Sequence, residues 1–244
     1  MHRTRIVLAL ALLAGLAMPA AAQTQGRFKF VSGNPYPTQP TLTVAGRTYY
    51  TSIYRGQFLS GGHTTANVDI FCVDFFHTVS VGSEWDAWFS PLSGNLEQTY
   101  GARIRGWDQD VAAQRYRAAA WLATQFGSPE GGYSTTEKAN WPGLQKTIWS
   151  LMGQDVGGTS AFPDALSADQ QTLLNAALAN GSTSDFIAQS SDWTVISDVN
   201  ASATSGTQEF LVQQSVVPEP ETVILLVTGL LALGAVAYFR GVSV

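Results

Sequence analysis

The sequence predicts an α+β fold. An antiparallel β-sheet or sandwich scaffold is interrupted by a helical insertion over about residues 108–180, and a C-terminal transmembrane helix follows. Three observations predict it. Residues 27–60 alternate β-forming residues with Pro and Gly turns. From Asp110 the apolar spacing changes to that of a helix. Near the end, "DWTVISDV" and "TQEFLVQQSV" return to strand character.

Taken in order, residues 27–60 carry two to four short strands. Ala66–Val81 reads as a longer strand or strand pair. Its alternation puts Phe71, Val73, Phe75, His77, Val79 and Val81 on one face, which is the stronger core face. Ile70, Cys72, Asp74, Phe76, Thr78 and Ser80 lie on the other, so Asp74 shares the Cys72 face and His77 points away from it. "DQDVAAQRYRAAAWLATQFG" is helical: Ala119, Leu122 and Phe126 line up, and Gly127 is a good stop. "STTE" at Ser134–Glu137 has capping-box form. Pro142 then suits the first turn of a further helix that ends at Met152 before Gly153. Leu144, Ile148 and Leu151 form its apolar stripe, with Gln145 and Trp149 one turn apart beside it. "SADQ" at Ser167–Gln170 caps one more helix, which closes near Asn180-Gly181.

Both ends point to export. Arg3 and Arg5 precede a short apolar run, and Ala20-Ala21-Ala22 forms an A-x-A cleavage site, with Ala20 and Ala22 as its small residues. Residues 1–22 therefore read as a signal peptide and residues 23–215 as the extracellular domain. In the segment 216–244, Thr222–Phe239 is an uncharged apolar run long enough to span a bilayer, with Arg240 just beyond it. Pro218-Glu219-Pro220 directly precedes that run. This order resembles the PEP-CTERM sorting signal of Gram-negative bacteria, with one Arg in place of a basic cluster. The resemblance implies processing by exosortase, a membrane enzyme, transient anchoring by the C-terminal helix, and an exopolysaccharide matrix as the setting.

Composition narrows the function. Charged residues are 13% of the chain and the net charge is −5, so there is no basic patch for nucleic acid. Aromatic residues make up 11%, which suits a folded domain rather than a disordered stalk. After signal removal only His63 and His77 remain as histidines. Without a cysteine pair they cannot make a standard zinc site, and no D-x-D-x-D-G calcium loop occurs. No metal and no cofactor is expected.

Cys72 is the only cysteine. In an exported chain a lone cysteine needs a reason, since export favours disulfides. Three readings stay open on the residues themselves. Cys72 is a free, buried thiol, or it links two chains by a disulfide, or it carries chemistry. Gln145 likewise is either solvated or a buried amide, and burying a primary amide without partners costs roughly 1–3 kcal/mol. A cysteine protease would need a histidine near Cys72, and no protease motif surrounds either residue.

The segments "FCVD" (Phe71–Asp74), "RYRAAAWLATQFG" and "LQKTIW" (Leu144–Trp149) resemble the signature segments of bacterial thioester domains of the TQXA type. The resemblance spans roughly residues 68–153. It departs from the family pattern at Leu144, where Thr is usual, and at Thr147, where Ala is usual. It implies that Cys72 supplies sulfur and Gln145 the acyl group of an internal thioester. By position, Asp74 on the Cys72 face either orients the thioester pocket or is a strand-edge carboxylate, and Trp149, one turn from Gln145, either shields the bond from water or is plain core. The implied protein is a surface or matrix adhesin, not an enzyme, that attaches once to an amine or hydroxyl on its target. The alternative is a structural exopolysaccharide-matrix protein of the same fold, without the thioester, that binds sugars through exposed aromatics.

Overall fold

The structure is a computed structural model that describes residues 23–33, 40–60, 63–127, 133–154 and 161–213. Nine strands are described: β1 Thr24–Ser32, β2 Thr41–Val44, β3 Arg47–Tyr50, β4 Tyr54–Ser60, β5 His63–Thr64, β6 Val68–Cys72, β7 Glu84–Pro91, β8 Trp193–Asp198 and β9 Phe210–Gln213. Between β7 and β8 lie the helices α1 Tyr100–Arg103, α2 Gln109–Thr124, α3 Thr135–Met152, α4 Ala168–Asn180 and α5 Ser184–Gln189. A scaffold of antiparallel strands with a helical insertion is thus what forms, and the insertion runs wider than 108–180.

The scaffold closes. The strand order β1-β7-β8-β9-β6-β4 returns from β4 to β1, giving a six-stranded antiparallel barrel, with β5 hydrogen-bonded to the end of β4. This corrects the open sheet or sandwich. The alternation that predicts a half-buried strand is the same in a sandwich and in a barrel. What decides between them is the non-local pairing of β1 with both β4 and β7.

The barrel interior is aromatic. Phe28 packs edge-on against Phe58, Trp85 and Phe89, and Phe30 stacks on Phe210. Gly56 makes room for this, since a Cβ there would meet the Phe28 ring at 2.2 Å. Outside the barrel a second core joins Phe71, Val73, Trp193, Val195 and Leu211 to the helices through Tyr116, Leu122, Phe126, Trp141 and Ile148. Strands under the helices are therefore buried on both faces, and all six residues of β8 are buried.

Two boundaries differ from the sequence reading. β6 stops at Cys72, so Ala66–Val81 is neither one long strand nor a strand pair, and the two-face alternation lapses after Val73. The rows before it are both buried: Phe71 and Val73 face the helices, while Ile70 and Cys72 are fully buried on the barrel side. Cys72 is thus not on a polar row. The helix expected from Pro142 instead begins at Thr135 and contains Pro142. The Ser134–Glu137 capping box forms and starts it: Glu137 N–H donates to Ser134 Oγ, and Ser134 N–H to Glu137 Oε2. The Ser167–Gln170 box starts α4 in the same way.

β2 and β3 form a separate hairpin. Its two turn residues, Ala45 and Gly46, both have positive φ, as a tight two-residue hairpin turn requires. The signal peptide with Ala20 and Ala22, and the segment with Pro218, Glu219, Pro220 and Arg240, lie outside the described residues. Among the described residues no helix is long and apolar enough to cross a membrane.

Candidate functional site

Cys72 ends β6 where the barrel meets α3, and the strand fixes its backbone through pairing with Phe210 of β9. Its side chain is fully buried. That removes the interchain disulfide reading, because no second chain can reach the sulfur. The thiol donates to the Asp74 carbonyl at 3.1 Å. Burial, against a lesser favourable contribution from Trp149, pushes the thiol up to about 12. Burial thus favours the neutral S–H over the thiolate wherever the sulfur is unmodified. No imidazole contacts the sulfur among the described hydrogen bonds, so a cysteine-protease arrangement does not form.

Gln145 comes from the middle of α3 and is also fully buried, which removes its solvated reading. Its Nε2 donates to the backbone carbonyl of Cys72 at 2.7 Å. The helix and the strand end, 73 residues apart in sequence, thus meet at these two residues. Oε1 of Gln145 is buried and accepts no hydrogen bond. Leu144 and Thr147, on either side of Gln145, fit the same helix without disturbing this arrangement. Leu144 is buried among the helical core residues, and Thr147 satisfies its hydroxyl on the Gly143 carbonyl at 2.9 Å.

Trp149, one turn on, is 2% exposed. Its ring sits in an aromatic cluster with Phe75, Tyr49 and Phe162. The indole N–H lies outside hydrogen-bonding geometry to any acceptor. The Cys72 sulfur lies beside it, and a weak N–H to sulfur interaction there favours a thiolate. Tyr49 belongs to the β2–β3 hairpin, so the hairpin helps close the site. Sequence reading left Tyr49 unassigned, because a tyrosine in a short strand carries no signal of which element it will cover.

Asp74 meets the site through its backbone, not its carboxylate. The carboxylate accepts from Phe76 N–H at 2.9 Å and pairs with Nδ1 of His77 at 2.5 Å. Nε2 of His77 contacts the Ser202 carbonyl at 2.8 Å. With an acceptor at each ring nitrogen the imidazolium is favoured, and the Asp74 bond above all raises the His77 pKa. His77 is therefore an Asp74 partner, in contrast to the opposite-face placement from alternation. β6 ends at Cys72, and the two-residue period lapses after Val73.

Beside this lies a second buried polar centre that the sequence reading did not single out. Glu209 is 1% exposed. Its Oε1 accepts from Tyr100 N–H at 2.7 Å and Ser197 Oγ at 2.6 Å, and its Oε2 from Tyr116 Oη at 2.6 Å. Burial raises its carboxyl to about 7, against the pull of those donors. The signal was present: a lone Glu opening the apolar run Phe210–Val212 in a strand-forming stretch. Among the described residues no cluster of His, Cys, Asp and Glu could hold a metal.

No family model and no curated protein matches the chain. Among solved structures it is similar to the N-terminal thioester domain of a surface protein from Clostridium perfringens. The TM-score is 0.39 and the identity 11%, over 78% of this chain and 99% of that one.

Proposed function

We propose that this chain is an exported, surface- or matrix-associated adhesin-like protein whose Cys72 and Gln145 condense to an internal thioester. The observation that carries the proposal is the buried Gln145 side chain, hydrogen-bonded to Cys72 and left with an unpartnered carbonyl oxygen. In the condensation the Cys72 Sγ–Gln145 Cδ bond forms and the Cδ–Nε2 bond breaks. The thiol proton goes to the departing nitrogen, and ammonia leaves. The acyl carbon is then activated, since a thiolate leaves far more readily than an amide nitrogen. Burial under Trp149 and Tyr49 keeps water from the bond until a target amine or hydroxyl enters. Attachment happens once per molecule, so this is binding chemistry without turnover. Release by an exosortase-type enzyme and residence in an exopolysaccharide matrix belong to the same proposal, through the Pro218-Glu219-Pro220 tail.

The test is intact mass of the exported protein with and without methylamine. The proposal predicts a deficit of about 17 Da that becomes a gain of about 14 Da over the unmodified mass on amine treatment. Cys72→Ala and Gln145→Ala each abolish both shifts. Full mass with no amine adduct would leave the alternative, a matrix protein of the same fold without the bond.

A further inference from the structure

A groove of about 460 Å³ opens between the β2–β3 hairpin and the barrel mouth. This lies within the roughly 300–1,000 Å³ of small-ligand sites. Phe30, Tyr49, Tyr50, Tyr54 and Trp149 supply ring surface, and Thr48, Thr78 and Gln208 supply hydroxyl and amide groups. Among the described residues, none of the lining side chains carries a charge. Tyr50 is 60% exposed although it is a large aromatic.

Three wall residues connect the groove to Cys72. Trp149 points its indole N–H toward the sulfur as a weak donor. Tyr54 is the sulfur's electrostatic neighbour: burial, then Cys72, push its phenol well above the usual range. Gln208 Nε2 donates at 3.3 Å to the Asp74 carbonyl, the same oxygen that accepts the Cys72 thiol. The groove wall and the buried sulfur thus share the Asp74 carbonyl and Trp149 as neighbours.

We propose that this groove binds a neutral polysaccharide chain and that a hydroxyl of that chain is the nucleophile that opens the thioester. The second half rests on the thioester reading; the first does not. A sugar ring offers an apolar face to the aromatic walls and a rim of hydroxyls to the Thr48, Thr78 and Gln208 groups. An aliphatic ligand would cover the Thr78 hydroxyl and the Gln208 amide oxygen without offering them a hydrogen bond. An acidic polymer would find no counter-charge. An ammonium could lie on the ring faces, but a lysine arrives protonated, and no carboxylate or imidazole lines the groove to take the proton. A hydroxyl arrives neutral. In its attack the C–O bond forms, the C–S bond breaks, and the hydroxyl proton passes to the Cys72 sulfur, leaving an ester and a thiol.

The test uses the full chain in mild detergent with maltohexaose, cellohexaose and a neutral peptide bearing one lysine. Tryptophan fluorescence reads binding, and intact mass reads covalent capture. One of the two glucans is expected to bind Gln145→Ala, which cannot form the thioester, and to add its whole mass to the unsubstituted chain. Tyr50→Ala is expected to weaken that binding by about tenfold, and Tyr50→Phe to retain most of it. No glucan binding to Gln145→Ala would overturn the groove assignment even if methylamine adds normally. Faster capture of the lysine peptide than of either glucan would overturn the choice of hydroxyl. Glucan binding with no methylamine adduct on the unsubstituted chain would sustain the groove and sink the thioester.

Discussion

Two buried polar centres lie at the same end of the barrel, and they are built in opposite ways. Around Glu209 both carboxylate oxygens are taken, by Tyr100 N–H, Ser197 and Tyr116, and Tyr116 Oη in turn accepts from Gly101 N–H at 3.0 Å. Around Cys72 and Gln145 the Gln145 carbonyl oxygen is left without a partner, and the Trp149 indole N–H has only the weakly accepting Cys72 sulfur beside it. A saturated network is what a structural role requires, because each orphan costs roughly 1–3 kcal/mol. An unsaturated one at a buried thiol and amide has no such justification. Condensation keeps the Gln145 oxygen but turns a strongly accepting amide carbonyl into a weakly accepting thioester carbonyl, which lowers the cost of leaving it unpaired. The contrast separates a centre that holds the fold from one poised for chemistry.

The largest expected effect sharpens the chemical side. A Cys72–Gln145 bond ties residues 73 positions apart. Closing a loop of that size stabilises a folded chain by roughly 4 kcal/mol in the chain-entropy account. Methylamine opening is therefore expected to lower unfolding stability by about that amount, measured by denaturant titration of treated and untreated protein. A treated protein of equal stability would argue that no cross-link existed.

The structural side is tested next by Glu209→Ala, which strands three buried donors. A loss of roughly 3 kcal/mol is expected in the same titration. A change below about 1 kcal/mol would show that the network is not structural.

Acidity should act on the Glu209 side as well. The folded pKa of Glu209 is raised from 4.5 to about 7, so the folded state holds more protons than the unfolded state between those values. Stability then falls as pH rises through that window, by up to roughly 3 kcal/mol. His77 has the same sign. Its contribution is fully present below its unfolded value of 6.5 and is lost as pH rises through its raised folded value. Unfolding midpoints measured across mildly acidic to mildly alkaline pH should decline, and Glu209→Gln should flatten the part below neutrality. A rise with pH would contradict both assignments.

The smallest effect belongs to the chemical centre. Gln145→Leu, compared with the amine-opened protein, removes an amide that is half unsatisfied. It should change stability by no more than about 1 kcal/mol. A loss of several kcal/mol would mean that Gln145 is a structural residue.

Local features of this fold were readable from the sequence, and pairings were not. The capping boxes at Ser134 and Ser167 and the strands up to Ser60, expected as two to four and found as four, depend on neighbours within a few residues, while the helix expected to stop at Gly127 ends slightly earlier, at Thr124. Barrel closure depends on β1 meeting β4 and β7, which no local pattern encodes. The same holds at the site. Cys72 and Gln145 stood out by residue type, and their meeting is a property of the fold. The Asp74–His77 pair was misread because alternation was carried past the end of β6, where the backbone turns. Glu209 went unremarked because one carboxylate in a strand looks like an exposed edge residue until the helices cover it.

The central claim is that the sulfur of Cys72 is acylated. Counting thiols in the native protein would not test it, since Cys72 is fully buried in either state. The direct measurement is the thiol count in freshly purified protein after rapid acid denaturation, using a pyridyl disulfide reagent that reacts at acidic pH. With the thioester in place no thiol is found, and one appears after prior treatment with methylamine. One thiol per chain without any amine would contradict the account and leave Cys72 as a buried side chain of the barrel core.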